Sequence, residues 1–155
     1  MLILLVIGAV LAAILLAFIA QEARRRKQAL KAVDITDIDS MKGIAFENYI
    51  AILFESQGYK VTKTPASGDF GVDLLIVKAK VRTAVQIKRY KHNVDLKAVQ
   101  QVVAGMPLKQ YNASKSIVVT NSMFKPSARI VAAAHQCELV DRVKLGEWII
   151  DFKNK

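Results

Sequence analysis

Asp73 interrupts an apolar strand of the sequence, and Gln86 and Lys88 follow it thirteen and fifteen residues later. A carboxylate and an amide oxygen are suitable ligands for a hard divalent cation. A lysine ammonium can meet the negative charge that develops on a phosphate during its hydrolysis. These residue types therefore suit the cleavage of a phosphodiester bond, provided that the fold brings them together.

Two runs rich in Val, Leu and Ile, residues 72–79 and 82–89, predict strands that pair as a hairpin. Alternation along the second strand places Gln86 and Lys88 on one face, beside the strand that carries Asp73. Asp73, the Gln86 side-chain oxygen and the Ile87 carbonyl are then candidate metal ligands. The alternative is structural: Asp73 as a turn residue, Gln86 at a sheet rim and Lys88 in solvent.

The remaining elements predict the scaffold that positions this hairpin. Phe46, Ile50 and Leu53 recur at helical spacing within a predicted helix over residues 40–57. Further strands are predicted over residues 59–64, 116–120 and 138–140, and further helices over residues 95–110, 127–135 and 145–152. The order α-β-β-β-α-β-α-β-α predicts an α/β domain whose mixed sheet is flanked by helices.

The residues that surround the three polar positions resemble a known family. Gly-Asp-Phe-Gly-Val-Asp at residues 68–73, an apolar strand, and Val-Gln-Ile-Lys-Arg-Tyr at residues 85–90 are similar to the Mrr-like restriction endonucleases. These form a branch of the PD-(D/E)xK nuclease superfamily in which Q-x-K replaces the more common E-x-K. The resemblance extends over residues 43–150 and implies a restriction-endonuclease-like fold. It also implies a magnesium-dependent endodeoxyribonuclease, with manganese as the alternative ion.

Residue by residue, the resemblance implies an active-site core of Asp73, Gln86 and Lys88. It implies Glu47 on the first helix of the domain as an accessory acid that reaches a metal directly or through water. An exposed, salt-bridging Glu47 is the alternative interpretation. Asp69 ranks below Asp73 as a ligand, because Gly68-Asp69 also suits an ordinary turn, and its role is left open.

Basic residues follow the candidate site along the chain. Arg89, Lys91 and Lys97 are expected to contact DNA phosphates beside the cut, with a solvated face as the alternative. The chain has a net charge of +10. Without the flank that follows the N-terminal apolar run, 18 basic and 12 acidic residues remain, a net charge of +6, which suits a polyanionic partner.

The N-terminal run from Leu2 to Ala20 contains no charged residue and is long enough, as a helix, to span a bilayer. The basic residues that follow it, among them Arg24, Arg25 and Lys31, favour a cytoplasmic flank. The sequence thus predicts a transmembrane helix over residues 2–20, a basic juxtamembrane connector over 21–39 and a nuclease domain over 40–155. The expected location is the inner cell membrane, with a single span and the nuclease domain in the cytoplasm.

Two other functions stay open at this level. One is a catalytically silent, membrane-attached DNA-binding protein on a nuclease fold, and the other is a structure-selective nuclease of the junction-resolving kind. Sequence or methylation specificity is not readable, and a homodimer is left open. The single cysteine, Cys137, excludes an intramolecular disulfide and fits a small core residue.

Overall fold

The computed structural model describes residues 2–65, 68 and 70–155. The chain divides into two compact units, of which the first ends at Val33 and the second is Asp34–Lys155. The candidate chemistry lies entirely in the second unit.

The first unit is one helix, α1 (Leu2–Ala32), which runs from the apolar segment into the basic one without a break. A helix crosses a bilayer only if it stays apolar over about 30 Å, or roughly 20 residues. Among the described residues, no helix is long and apolar enough to do so. The predicted transmembrane helix is therefore wrong. The predicted location at the inner membrane, which rested on that helix, is not tested by the fold.

The second unit contains five helices and five strands within the described residues. Their bounds are α2 (Ile35–Ile38), α3 (Gly43–Ser56), β1 (Lys60–Lys63), β2 (Leu74–Lys78), β3 (Val81–Lys88), α4 (Leu96–Gly105), β4 (Lys115–Thr120), α5 (Pro126–Ala134), β5 (Glu138–Val140) and α6 (Arg142–Asn154). From α3 onward this is the predicted order, so the predicted mixed α/β architecture is confirmed.

The strands form one sheet in the order β1-β2-β3-β4-β5. Strands β1, β2 and β3 are antiparallel neighbours, whereas β3, β4 and β5 run parallel. The register pairs Leu74 with Val85 and Lys88 with Thr120. As a result, the start of β2 and the ends of β3 and β4 meet at the same edge, which we call the carboxyl edge of the sheet.

Helices cover both faces of the sheet. On one face, α4 and α5 share a buried apolar cluster with Ala84 and Val118. The other layer contains α3 and α6, which meet where the Phe54 ring lies edge-on to Trp148 at 5.3 Å between centroids. Because side chains alternate along β3, Gln86 and Lys88 share the α4 face with Ala84.

Most boundaries differ from those predicted by a few residues, and two of the differences have a clear physical cause. Helix α4 ends at Gly105 rather than at residue 110, because the Met106 N–H still donates to the Val102 carbonyl but Pro107 has no N–H with which to continue the pattern. Helix α6 begins at Arg142, since the Asp141 carboxylate accepts hydrogen bonds from the N–H groups of Val143 and Lys144. The short helix α2 was not predicted.

Candidate functional site

Asp73 and Gln86 form a direct side-chain contact at the carboxyl edge. Asp73 lies immediately before β2, and Gln86 follows Val85, the partner of Leu74 in the ladder. The Gln86 Nε2 group donates to Asp73 Oδ2 at 2.5 Å, and the Ile87 N–H donates to the same oxygen at 2.5 Å. The structure thus brings together three of the residues that the sequence predicted to meet.

The backbone around Asp73 is held by β1 and β3. The Asp73 N–H donates to the Val85 carbonyl at 2.8 Å. The Thr64 hydroxyl donates to the carbonyls of Val72 and Asp73, at 2.5 and 3.0 Å. With its main chain fixed from both sides, the Asp73 carboxylate has a defined position before any ligand binds.

Gln86 is 2% exposed, so it is not a residue of the sheet rim. Its Oε1 atom is buried and has no hydrogen-bond partner among the described residues. A buried polar atom without a partner costs about 1–3 kcal/mol, so such an atom in a native fold calls for an explanation by a ligand, a water or a change of state. The amide nitrogen and oxygen also have nearly the same shape, and a half-turn of the amide exchanges them.

Two glycines let the segment before Asp73 pack closely against α4. A Cβ atom on Gly105 would lie 2.4 Å from the Phe70 carbonyl oxygen. A Cβ atom on Gly71 would lie 2.5 Å from Cβ of Gln101 and 3.1 Å from Gln86 Oε1, and Gly71 has a positive φ of 78°. No other residue type fits either position without movement, because both contacts involve backbone or Cβ atoms.

Lys88 is half-buried on the same face as Gln86, at the last position of β3. Its carbonyl accepts a 2.7 Å hydrogen bond from the Thr120 hydroxyl, which ties the ends of β3 and β4 together. Lys88 is therefore anchored through its main chain two residues from Gln86. Its predicted catalytic role stays a prediction.

Glu47 is half-buried on α3, and the neighbouring Asn48 accepts a hydrogen bond from Lys63 of β1. This helix belongs to the layer opposite the Gln86 face. Its role as an accessory acid stays a prediction. Asp69 lies outside the described residues.

The three predicted DNA contacts differ in their surroundings. Arg89 is half-buried and donates through Nη1 to the Asp39 carbonyl at 3.1 Å. Lys91 is exposed and lines a cavity at the carboxyl edge. Lys97 is exposed in the first turn of α4, where its N–H donates to the Asp95 side chain.

Sequence reasoning missed a polar network beside these residues. Asn121, 4% exposed, accepts from the Tyr90 N–H at 2.8 Å and donates to Asp39 Oδ1 at 2.9 Å. Arg142 donates to Asp39 Oδ1 at 2.7 Å and to the Asn121 carbonyl at 3.0 Å. The signal in the sequence is Asn121 directly after a buried strand, but no local pattern connects it with Asp39 or Arg142.

The site offers few of the usual metal ligands. No group of three or more His, Cys, Asp or Glu residues suited to a metal occurs in the described part of the chain. Asp73 and Gln86 nevertheless supply a carboxylate and an amide oxygen, and the buried Oε1 atom lacks a partner. Oxygen ligands of these types suit magnesium or manganese, so the donor chemistry fits a hard divalent cation.

Comparison with protein families shows where this chain belongs. Residues 38–149 match the Mrr_cat family model, described as restriction endonuclease. The chain therefore belongs to the Mrr_cat family of restriction endonucleases. No curated protein matches it.

Solved structures share the fold. The DNA modification-dependent restriction endonuclease AspBHI is 16% identical, with a TM-score of 0.58 over 83% of this chain and 38% of its own. The MspJI restriction endonuclease, solved in complex with a 27-mer oligonucleotide, is 21% identical, with a TM-score of 0.53 over 80% and 30%. A protein of unknown function, AF1548, is 16% identical, with a TM-score of 0.54 over 61% and 55%. This chain thus spans 30–55% of the length of these structures.

Proposed function

We propose that this chain is a metal-dependent endonuclease that hydrolyses phosphodiester bonds of DNA. The observation that supports it most directly is the contact between the half-buried Asp73 and the buried Gln86, with Lys88 on the same strand face. A glutamine that served only the sheet would be expected to satisfy both atoms of its amide, whereas Oε1 is buried without a partner among the described residues. Membership of a restriction endonuclease family supports the same reaction.

Magnesium is the proposed ion, with manganese as the alternative. Asp73, Gln86 and the Ile87 carbonyl would hold it, with the Gln86 amide turned so that its oxygen is the ligand. When bound, such an ion supplies a Lewis acid that polarises the phosphate and lowers the pKa of a bound water. Because Gln86 is neutral, this set carries less negative charge than one with a glutamate, and weaker binding of the cation is expected.

The side chains of the chain itself have separate tasks in this proposal. Lys88 orients the attacking water and stabilises the negative charge that develops on the phosphate. In the absence of the ion, Asp73 holds the Gln86 amide through their shared hydrogen bond, which the turn of the amide would exchange for contact with the ion. Glu47 is the accessory acid at the other side of the carboxyl edge, where it acts on the ion or on a water.

DNA is the proposed substrate. Arg89, Lys91 and Lys97 follow the catalytic strand and are proposed to contact phosphates on either side of the cut. The net charge of +10 favours a polyanion. The oligonucleotide complex of MspJI, a protein of the same fold, supports the assignment of DNA.

Incubation of the full chain with supercoiled plasmid tests this function. We expect nicked and linear DNA in magnesium or manganese, and intact DNA in EDTA, as measured by gel electrophoresis. Lys88→Ala protein, purified in the same way, controls for a contaminating nuclease. Equal cleavage by wild type and Lys88→Ala, or no cleavage by folded wild type with either ion, would contradict the proposal.

A further inference from the structure

A cavity of about 340 Å³ opens at the carboxyl edge, next to the candidate site. It begins one residue after Lys88, and Arg89, Lys91 and Arg142 line it. We call it the Arg142 pocket. Its lining also includes Asp39, Tyr90 and Asn121.

The floor of the Arg142 pocket is a fixed polar network rather than a chance gathering of surface side chains. Asn121 is buried and its amide is used at both ends, by the Tyr90 N–H and by Asp39 Oδ1. Arg142 is positioned by Asp39 Oδ1 and by the Asn121 carbonyl. The loops that carry these residues are joined as well, because the Val94 N–H donates to the Met123 carbonyl at 2.8 Å.

Charge determines what kind of ligand this pocket suits. Arg89, Lys91 and Arg142 bring three positive charges, against the single carboxylate of Asp39. The hydrogen bond from Arg142 is the main cause that holds the Asp39 pKa below its usual value, so this carboxylate is ionised at neutral pH. The net positive lining favours an anion.

The geometry of Arg142 makes that anion more specific. Both of its hydrogen bonds to Asp39 and Asn121 use Nη1. A guanidinium has five N–H donors in a planar fork that matches the oxygens of a phosphate. Its side chain is 34% exposed, so solvent and ligands reach it. Tyr90, 47% exposed, places an aromatic ring at the same cavity, where a sugar or base can pack.

We infer that the Arg142 pocket binds a backbone phosphate of DNA next to the one that is cut, and that Asp39 restrains Arg142 until the phosphate arrives. This inference rests on the proposed function, because it takes DNA as the substrate. It adds Arg142 to the substrate-binding residues. It also gives Asp39 an opposing role, since its carboxylate competes with the phosphate for Arg142.

The two roles predict changes of opposite sign in the affinity of the full chain for duplex DNA. Arg142→Gln is expected to weaken binding about tenfold, as for loss of a charged hydrogen bond, and to reduce the slope of log affinity against log salt by about 0.9. Asp39→Asn is expected to strengthen binding by a factor of about three to ten, because it releases Arg142 and removes a negative charge from the pocket.

Fluorescence anisotropy with a labelled 30-base-pair duplex, at several salt concentrations and in EDTA to prevent cleavage, measures both changes. Lys115→Gln is the matched control for Arg142→Gln, because it removes one positive charge at the opposite end of β4. Asp151→Asn is the matched control for Asp39→Asn, because it removes an exposed carboxylate near the end of α6. Melting temperatures identify any variant that has lost its fold. If Arg142→Gln does not fold, Lys91→Gln replaces it, and the same loss of affinity and salt slope is expected.

The inference is overturned if a folded Arg142→Gln protein keeps the affinity and salt slope of the Lys115→Gln control. A folded Asp39→Asn protein that binds no more tightly than Asp151→Asn removes the role of Asp39. If wild type itself has no affinity for duplex DNA, the substrate proposal fails instead, which is a separate outcome.

Discussion

Each edge of the sheet carries a cavity, and the larger of the two is not the one beside the candidate site. At the amino edge, where β3 and β4 begin, a cavity of about 600 Å³ is lined by residues that include Tyr59, Lys78, Ser116 and His135. At the carboxyl edge, the Arg142 pocket measures only about 340 Å³. The smaller cavity lies beside the Asp73–Gln86 contact and three positive side chains.

The larger cavity lacks that organisation within the described residues. Its carboxylate, Glu138, is exposed and already paired with Lys144 at 2.6 Å. Its buried polar atom without a hydrogen-bond partner, Ser116 Oγ, lies near Cys137, whose thiol pKa is raised, mainly by burial. In sheets with parallel strands, ligands bind outside the carboxyl ends of the strands. Chemistry and topology together therefore favour the smaller cavity as part of the proposed DNA-binding site.

The largest effect on cleavage is expected from substitutions of Asp73 and Lys88. We expect Asp73→Asn and Lys88→Ala each to lower metal-dependent cleavage by a factor of about 100 or more, because each removes a preorganised charge at the reacting phosphate. Lys115→Ala, at the amino edge, is expected to cut like wild type. The measurement is the single-turnover rate of plasmid cleavage for each variant and for wild type. A folded variant of Asp73 or Lys88 that cuts normally would mean that the active site lies elsewhere.

Gln86 is expected to give the next largest effect. Gln86→Ala should lose most cleavage, because it removes the amide that contacts Asp73. Gln86→Glu should keep some cleavage and need less magnesium, since a carboxylate binds a hard cation more strongly. The measurement is cleavage rate against magnesium concentration for the three proteins. If Gln86→Ala matches wild type throughout, Gln86 serves only the sheet.

A smaller effect on cleavage is expected where the segment before Asp73 packs closely against α4. Gly105→Ala would place a Cβ atom 2.4 Å from the Phe70 carbonyl, so the segment that leads to Asp73 must shift. A shift of about 1 Å lowers rates by up to about 100-fold, and we expect roughly tenfold here. Gly146→Ala is the control, because a Cβ atom there meets nothing within 4 Å. Equal rates for the two variants would show that the close approach does not position Asp73.

The smallest effect is expected at the amino edge. Ser116→Ala removes the Oγ atom that is buried without a hydrogen-bond partner, and we expect cleavage within about twofold of wild type and a melting temperature that is unchanged or higher. A large loss of cleavage by a folded Ser116→Ala protein would mean that the 600 Å³ cavity belongs to the active site after all.

Much of the carboxyl edge follows from sequence because its parts are close along the chain. The hairpin that joins β2 to β3 places Asp73 beside Gln86, and period-two alternation places Gln86 and Lys88 on one face. The order of the elements is equally local in origin, since it depends on hydrophobic periodicity. The end of α4 differs from the prediction because Pro107 supplies no N–H to the helix.

The parts that sequence did not reveal depend on long-range contacts or on the main chain. Asp39 and Arg142 are separated by 103 residues, and Asp39 and Asn121 by 82. No periodicity connects such positions. The Ile87 N–H that binds Asp73 is a backbone group, which leaves no trace in residue type. The predicted membrane span is wrong, because no helix of the described residues is long and apolar enough to cross a membrane.

Because Gln86 is neutral, the protein is expected to fold whether or not a metal ion is bound. Two carboxylates held in contact repel each other, so an acidic site often needs its cation before it is stable. Here the Asp73 carboxylate instead receives two N–H donors from the chain itself. The protein is therefore expected to reach its native state in chelator, and magnesium is expected to raise the melting temperature only slightly, because an ion that binds the folded state weakly adds little stability. Free magnesium would then control how fast the folded protein cuts, and not how much folded protein exists.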